Sequence, residues 1–101
     1  RADLDAALRL APADARARCW KAEALTALGE EAAALREYRR ALARPAPALA
    51  FGFLSRAALH AAAGRWPRAR EDYAAAFALD VKSKAARLGL ADCRRRLGAG
   101  L

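Results

Sequence analysis

The strongest constraint on the fold is a glycine that recurs after apolar segments at a nearly constant interval. Gly29, Gly64 and Gly98 each follow such a segment, and their spacings are 35 (64 − 29) and 34 (98 − 64) residues. Glycine adopts a positive φ without steric cost and often follows the last residue of a helix. The interval therefore predicts a unit of about 34 residues that is repeated along the chain, with each glycine ending a helix.

A second element keeps the same phase as the glycines. An alanine stands five residues after each of the first two glycines, a tyrosine follows four residues later, and another alanine follows three residues beyond that. Positions i, i+4 and i+7 lie on one face of a helix. Each unit is thus predicted to contain a second helix with a small-residue face. The two copies are Ala34, Tyr38 and Ala41, and Ala69, Tyr73 and Ala76.

The central segment, residues 50–80, contains one whole unit. It is predicted to form two helices joined by a tight turn at residues 64–67, and Pro67 suits the first turn of the second helix. Small residues occupy the positions where the helices would meet: Ala57, Ala69 and Ala76. Large apolar residues are expected to fill the space between them: Phe53, Leu59, Trp66, Tyr73 and Phe77.

These features resemble the tetratricopeptide repeat, whose period is 34 residues and whose second helix carries an alanine followed four positions later by an aromatic residue. The first-helix signature of the family is matched less fully. Its positions hold Phe53, Arg56-Ala57 and His60 in the central unit, and Arg18, Lys21-Ala22 and Leu25 in the preceding one. The resemblance implies an all-α fold in which antiparallel helix pairs form a right-handed superhelical array, an α-solenoid, of about three repeats.

The pattern predicts helices at about 1–10, 15–28, 31–43, 49–63, 67–79 and 84–97. They are expected to form a single domain over residues 1–101, as a fragment of a longer array. Asp14 is the predicted N-cap of the second of these helices, and residues 44–47 are a stiff proline-containing linker. We expect the inward side chains of two first helices to be Cys19, Ala22, Leu25 and Leu28, and Leu88, Ala91 and Leu97.

The composition adds a strong positive charge. The chain carries 19 Lys and Arg against 11 Asp and Glu, a net charge of +8. Such an excess fits an acidic partner or nucleic acid. The arginines are spread over most helices, however, and a high-GC genome also enriches a protein in both alanine and arginine.

The two cysteines and the lack of apolar segments bear on localisation. Cys19 and Cys93 fall on first helices two units apart, which places them beyond disulfide reach in the expected array. Two unpaired thiols are typical of a reducing compartment. No secretory signal is present, and no apolar segment approaches the ~20 residues of a membrane span. We therefore expect an intracellular, cytoplasmic protein.

Catalytic chemistry has little support in the sequence. His60, the one histidine, occupies a core-facing position of the family pattern, so we expect it to be packed or hydrogen-bonded. The cysteines lack the spacing of a zinc site, and there is no glycine-rich phosphate loop. We predict no enzyme activity, no cofactor and no metal.

A binding surface is what the resemblance implies instead. In the family, the first helices line a concave groove that receives an extended peptide or a helix of another protein. Carried over by register, the groove residues that we predict to contact a partner are Arg16, Trp20, Glu23, Phe51, Leu54, Ser55, Leu88, Asp92, Arg95 and Arg96. One subclass binds acidic chaperone C-termini through a Lys and an Asn at fixed positions. The Lys position holds Cys19, Leu54 and Leu88 here, so that clamp is absent.

The sequence thus predicts a non-enzymatic scaffold or adaptor whose protein or peptide partner has apolar anchors and an acidic end. Trp20 and Phe51 could instead pack against neighbouring repeats. A second alternative is nucleic-acid binding through the basic last helix, residues 82–96. A third is self-association, because both chain ends are expected to expose apolar helix faces. No membrane partner is expected.

Overall fold

A computed structural model describes residues 12–99, with side chains described for residues 14–98. Within this range the chain is all-helical and contains no strand. The helices are α1 (Pro12–Ala27), α2 (Glu31–Ala41), α3 (Ala50–Ala62), α4 (Trp66–Leu79) and α5 (Lys84–Ala99), with a short 3-10 helix at Pro47–Leu49. The all-α prediction is confirmed for these residues, whereas the helix predicted at residues 1–10 lies outside them.

The observed helix bounds differ from the predicted ones by one to three residues at most ends, and most at the start of α1. Helix α1 already includes Pro12, so Asp14 lies in its first turn and is not the predicted N-cap. Proline is tolerated there because the first N–H groups of a helix have no intrahelical acceptor. The negative charge of Asp14 also stabilises the helix, since it interacts favourably with the positive end of the helix dipole. In the predicted linker, residues 44–46 are non-helical and Pro47 begins the 3-10 helix.

The chain divides into two units, residues 1–49 and residues 50–101. In the first unit α2 folds back on α1 through a turn at Gly29, whose φ is +82°. The Gly29 N–H donates to the Thr26 carbonyl at 3.0 Å, and the Glu30 N–H donates to the Leu25 carbonyl at 2.9 Å. These two bonds form a Schellman motif, which satisfies the last carbonyls of a helix and requires a positive φ. The predicted role of Gly29 is therefore confirmed.

The core of the first unit consists mainly of small residues around the aromatic ring of Tyr38. Cys19 and Ala22 of α1 and Ala34 of α2 are fully buried, and Tyr38 is 1% exposed. Leu28, predicted to face inward, is instead 72% exposed. Helix α1 ends at Ala27, so the Leu28 side chain lies in the turn and no longer follows the helix face. Ala41, Leu42 and Leu49 are also buried.

The second unit repeats the same turn between α3 and α4. Gly64 has a φ of +79°, its N–H donates to the Ala61 carbonyl at 3.0 Å, and the Arg65 N–H donates to the His60 carbonyl at 2.8 Å. Pro67 lies in the first turn of α4, as predicted. The predicted small contact residues are all fully buried, which lets α3 and α4 approach closely: Ala57, Ala69 and Ala76.

Helix α5 packs against α4 within the second unit. It begins after Ser83, whose Oγ accepts a hydrogen bond from the Ala86 N–H at 3.1 Å, as an N-cap residue does. Gly89 lies against the ring of Tyr73, since a Cβ added at Gly89 would come within 2.3 Å of Tyr73 Cε1. The absence of a side chain at Gly89 therefore lets the tyrosine ring pack on the α5 backbone.

This contact gives α5 a rotation that differs from the predicted one. Ala86 and Cys93 are fully buried, whereas Leu88 is 53% exposed and Ala91 is exposed. Small and apolar residues recur on both sides of α5, so periodicity alone did not fix which side faces Tyr73. Leu97 is half-buried.

Gly98 also departs from prediction, because it lies within α5 and does not end it. Its φ is not positive, unlike those of Gly29 and Gly64. Glycine permits a left-handed turn but does not impose one. Among residues 12–99, a positive φ occurs only at Gly29 and Gly64, and each is followed by a helix that packs back on the preceding one.

Candidate functional site

The predicted partner-contacting residues are not buried in the structure. Arg16, Trp20, Leu88, Arg95 and Arg96 are exposed, and Trp20 and Leu88 expose 54% and 53% of their surface. The others are half-buried: Glu23, Phe51, Leu54, Ser55 and Asp92. Cys19, which shares the groove register with Leu54 and Leu88, is fully buried and faces the core of the first unit.

In the first unit, Arg16 and Trp20 lie one helical turn apart on α1. The Arg16 guanidinium carbon is 5.4 Å from the centroid of the Trp20 ring, within the range of a cation–π contact. Glu23 follows on the same face. This part of α1 therefore presents a large aromatic surface with a cation above it, the kind of surface that anchors protein contacts.

In the second unit, the end of α5 holds a charge cluster around Asp92. The Asp92 carboxylate accepts hydrogen bonds from Arg95 and, at 3.1 Å, from Arg96. The hydrogen bond from Arg96 is the main cause that lowers the pKa of Asp92. The Arg96 guanidinium carbon also lies 4.5 Å from the centroid of the Trp66 ring. Arg95 and Arg96, both predicted to contact a partner, thus already interact with side chains of the second unit.

A feature that sequence analysis missed is a bidentate ion pair between α3 and α4. Arg56 Nε donates to Asp72 Oδ2 at 2.7 Å, and Arg56 Nη2 donates to Asp72 Oδ1 at 2.8 Å. The Asp72 side chain is only 7% exposed and that of Arg56 22%. The Arg56 guanidinium carbon also lies 5.6 Å from the Phe53 ring centroid. Parallel charge-assisted bonds of this kind fix geometry as well as add energy, so the pair sets how α3 meets α4.

His60 extends this pair into a buried network. Its Nδ1 accepts a hydrogen bond from Arg65 Nε at 2.9 Å, and its Nε2 lies 3.9 Å from Asp72 Oδ2. Because Nδ1 is the acceptor, the neutral ring carries its proton on Nε2, which faces Asp72. Burial is the main cause that lowers the pKa of His60 from its ordinary 6.5. Asp72 raises it, whereas Arg65, Arg56 and Arg68 lower it further. The prediction that His60 is packed and hydrogen-bonded is confirmed.

The first unit holds a weaker counterpart at the same repeat positions. Glu37 accepts a hydrogen bond from Arg18 at 3.3 Å and lies 3.6 Å from Lys21 Nζ. Lys21 and Glu37 are 16 residues apart (37 − 21), as are Arg56 and Asp72 (72 − 56). The signal was therefore present in the sequence, because a base precedes the small residue and an acid precedes the tyrosine in both repeats.

The buried thiol of the second unit is a poor nucleophile. Burial is the main cause that raises the pKa of Cys93, and the negative charge of Asp92 adds to it. Burial likewise raises the pKa of the adjacent Tyr73. Both groups stay neutral at neutral pH, and a thiol reacts only as the thiolate. Cys93 thus behaves as a core residue.

No group of three His, Cys, Asp or Glu side chains in the described part of the chain is arranged to hold a metal ion. None of the helices among residues 12–99 is long and apolar enough to cross a membrane. Comparison with known proteins gives no match to a family model, to a curated protein or to a solved structure.

Proposed function

We propose that this chain is a tetratricopeptide-like, non-enzymatic interaction module that binds a protein or peptide partner. In this proposal the helix pairs stack as a right-handed superhelical array. The first helix of each pair, α1, α3 and α5, faces a concave groove. The protein acts as a scaffold or adaptor in the cytoplasm and needs no cofactor.

The observation that carries this proposal is the exposure of large apolar side chains on first helices of a repeated hairpin. Trp20 on α1 and Leu88 on α5 expose 54% and 53% of their surface, whereas the neighbouring Cys19 and Ala86 are fully buried. The repetition itself is supported by the two Schellman turns, which are built in the same way 35 residues apart (64 − 29). Aromatic residues are common anchors in protein interfaces, and Trp20 already carries a cation above its ring.

A matched pair of variants tests the proposal. Trp20→Ser with Leu88→Ser removes the two exposed anchors, whereas Leu28→Ser with Val81→Ser removes two other exposed apolar residues, 72% and 67% exposed. Each variant is used as bait in an affinity pull-down from nuclease-treated lysate, read by mass spectrometry, after circular dichroism has shown that its helicity is retained.

We expect the first variant to lose partners that the second variant and the unchanged chain retain. Equal recovery by all three baits would contradict the proposal. Partners recovered from a parallel lysate without nuclease, and lost after nuclease treatment, would support nucleic-acid binding instead, and a mass that rises with concentration would support self-association.

A further inference from the structure

The outward face of α5 combines strong positive charge with an apolar strip. Successive turns of the helix place exposed residues in one line at positions i, i+4, i+7 and i+11. Leu88 and Ala91 lie at the centre of this line and form the apolar strip. Lys84 lies before it, Arg95 lies after it, and Arg87 and Arg94 lie along one side. We call this surface the α5 basic face; its residues are Lys84, Arg87, Leu88, Ala91, Arg94 and Arg95, all exposed.

Most of the cations on this face form no ion pair within the described residues. Asp92 is the only acid of α5, and it already accepts hydrogen bonds from Arg95 and Arg96. Among the described residues, Lys84, Arg87 and Arg94 form no ion pair. Three cations therefore lie beside the strip without an ion-pair partner among the described residues.

The helix dipole reinforces this field at the beginning of α5. The N-terminal end of a helix carries the equivalent of about half a positive charge, and acids are usually placed there. The first turn of α5 contains no acid and begins with Lys84. A negatively charged partner group at this end would therefore be attracted by both the side chain and the dipole.

The apolar strip indicates which class of negatively charged partner, a protein segment or a nucleic acid, this face would bind. Leu88 exposes 53% of its surface, and the small side chain of Ala91 next to it leaves room for a close approach. No aromatic residue lies on α5 to stack on a base, and Arg96 lies over the Trp66 ring. Single-stranded nucleic acids are bound through such stacking platforms, so these features favour a protein segment.

We infer that the α5 basic face binds an acidic amphipathic helix of a partner protein. Apolar residues of that helix pack on Leu88 and Ala91, and its flanking Asp and Glu side chains pair with Arg87 and Arg94. Helix α5 is ~24 Å long, since 16 residues each rise about 1.5 Å, and it matches a partner helix of about four turns. This inference rests on the proposed function and specifies the chemistry of the partner.

The test uses a phage-displayed library of random 16-residue peptides, selected on the full chain and sequenced. One recovered peptide is then synthesised and titrated by fluorescence anisotropy. We expect recovered peptides to be rich in Asp and Glu, with Leu, Ile or Val spaced by three or four residues. Leu88→Ser should weaken binding about thirtyfold and Arg87→Gln with Arg94→Gln about tenfold.

The matched control removes the same charge elsewhere. Arg39→Gln with Arg40→Gln changes two exposed arginines of α2 and should alter affinity less than about twofold. Peptides without acidic bias, or peptides insensitive to the α5 variants, would overturn the inference and leave the proposed function standing. Recovery of no peptide at all would overturn both.

A 16-nucleotide single strand of DNA tests whether binding to this face needs only negative charge or also the apolar contact with Leu88. If this strand binds as tightly as the selected peptide, and Leu88→Ser affects neither complex, the face is a general polyanion surface and the inference is wrong.

Discussion

The buried ion pair between α3 and α4 should be the costliest single contact to break. Asp72→Ala removes two charge-assisted hydrogen bonds of 2.7 and 2.8 Å and leaves the Arg56 guanidinium without its partner. Breaking a fully buried pair costs about 3–5 kcal/mol. Because the Arg56 side chain is 22% exposed, water regains part of that loss. We expect the free energy of unfolding to fall by about 2–3 kcal/mol.

The first unit supplies a control at the same repeat position. Glu37→Ala breaks contacts of 3.3 and 3.6 Å with Arg18 and Lys21, whose side chains are 33% and 65% exposed. The Glu37 side chain is itself 14% exposed, but its contacts are longer and both partners reach water, so we expect about the 0.2–1 kcal/mol of an exposed ion pair. Glu37→Ala should therefore cost several times less than Asp72→Ala, although the two acids occupy equivalent positions.

Urea unfolding followed by far-UV circular dichroism measures both changes, with a third variant that replaces Arg56 by Met and Asp72 by Leu. Replacing a buried pair by apolar residues of similar volume is often nearly neutral, so the third variant should be more stable than Asp72→Ala. The reasoning is refuted if Asp72→Ala costs no more than Glu37→Ala, or if the third variant is the least stable of all.

Substitutions at two glycines of α5 should change the free energy of unfolding in opposite directions. Gly89→Ala should lower the free energy of unfolding by about 1–3 kcal/mol because its Cβ would meet the Tyr73 ring at 2.3 Å. Gly98→Ala, with nothing within 4 Å, should raise it by up to about 1 kcal/mol in the same urea assay. Since burial lowers the pKa of folded His60 below 6.5, the unfolded chain binds a proton that the folded chain does not. Stability should thus fall as the pH drops from about 6.5 through the folded-state pKa, and His60→Gln should remove that part of the fall in urea curves at pH 7.5 and 5.5. The raised pKa of buried Cys93 predicts alkylation by iodoacetamide far slower than in urea, measured by mass spectrometry.

Much of the hairpin structure could be predicted because it follows from local rules. The turns at Gly29 and Gly64 need a residue that accepts a positive φ, and both form where the spacing predicted them. The alanines of the A-x₃-Y elements are buried because a close helix crossing has no room for larger residues. Pro67 lies in the first turn of α4 for the equally local reason that its missing N–H is not needed there.

The rotation of α5 could not be predicted from such rules. Its apolar residues fit more than one face, and the buried residues turned out to be Ala86 and Cys93, while Leu88 is exposed. The contact of Gly89 with Tyr73 joins residues of different helices. Periodicity within one helix carries no information about the shape of its neighbour.

The electrostatics of the candidate surface could not be predicted from the sequence. Trp20 and Leu88 are exposed, although the helix pattern had also placed Leu88 among the inward side chains, and the pairing of Arg95 and Arg96 with Asp92 was not predicted. An i, i+3 or i, i+4 spacing permits such pairs without dictating them. The stacking of Arg96 on Trp66 depends on how α5 packs against α4.

The sequence by itself determined the helical class, the repeated turns and the small residues that let paired helices meet, because each depends on the steric properties of a few neighbouring residues. Tertiary structure alone decided which charges are buried. Lys21 and Arg56 occupy the same repeat position before a small residue, yet only Arg56 forms a bidentate pair shielded from water, and only its acid lies beside a neutral histidine. The difference arises because the strength of an ion pair depends on distance and on the exclusion of water, and both are set by packing between helices.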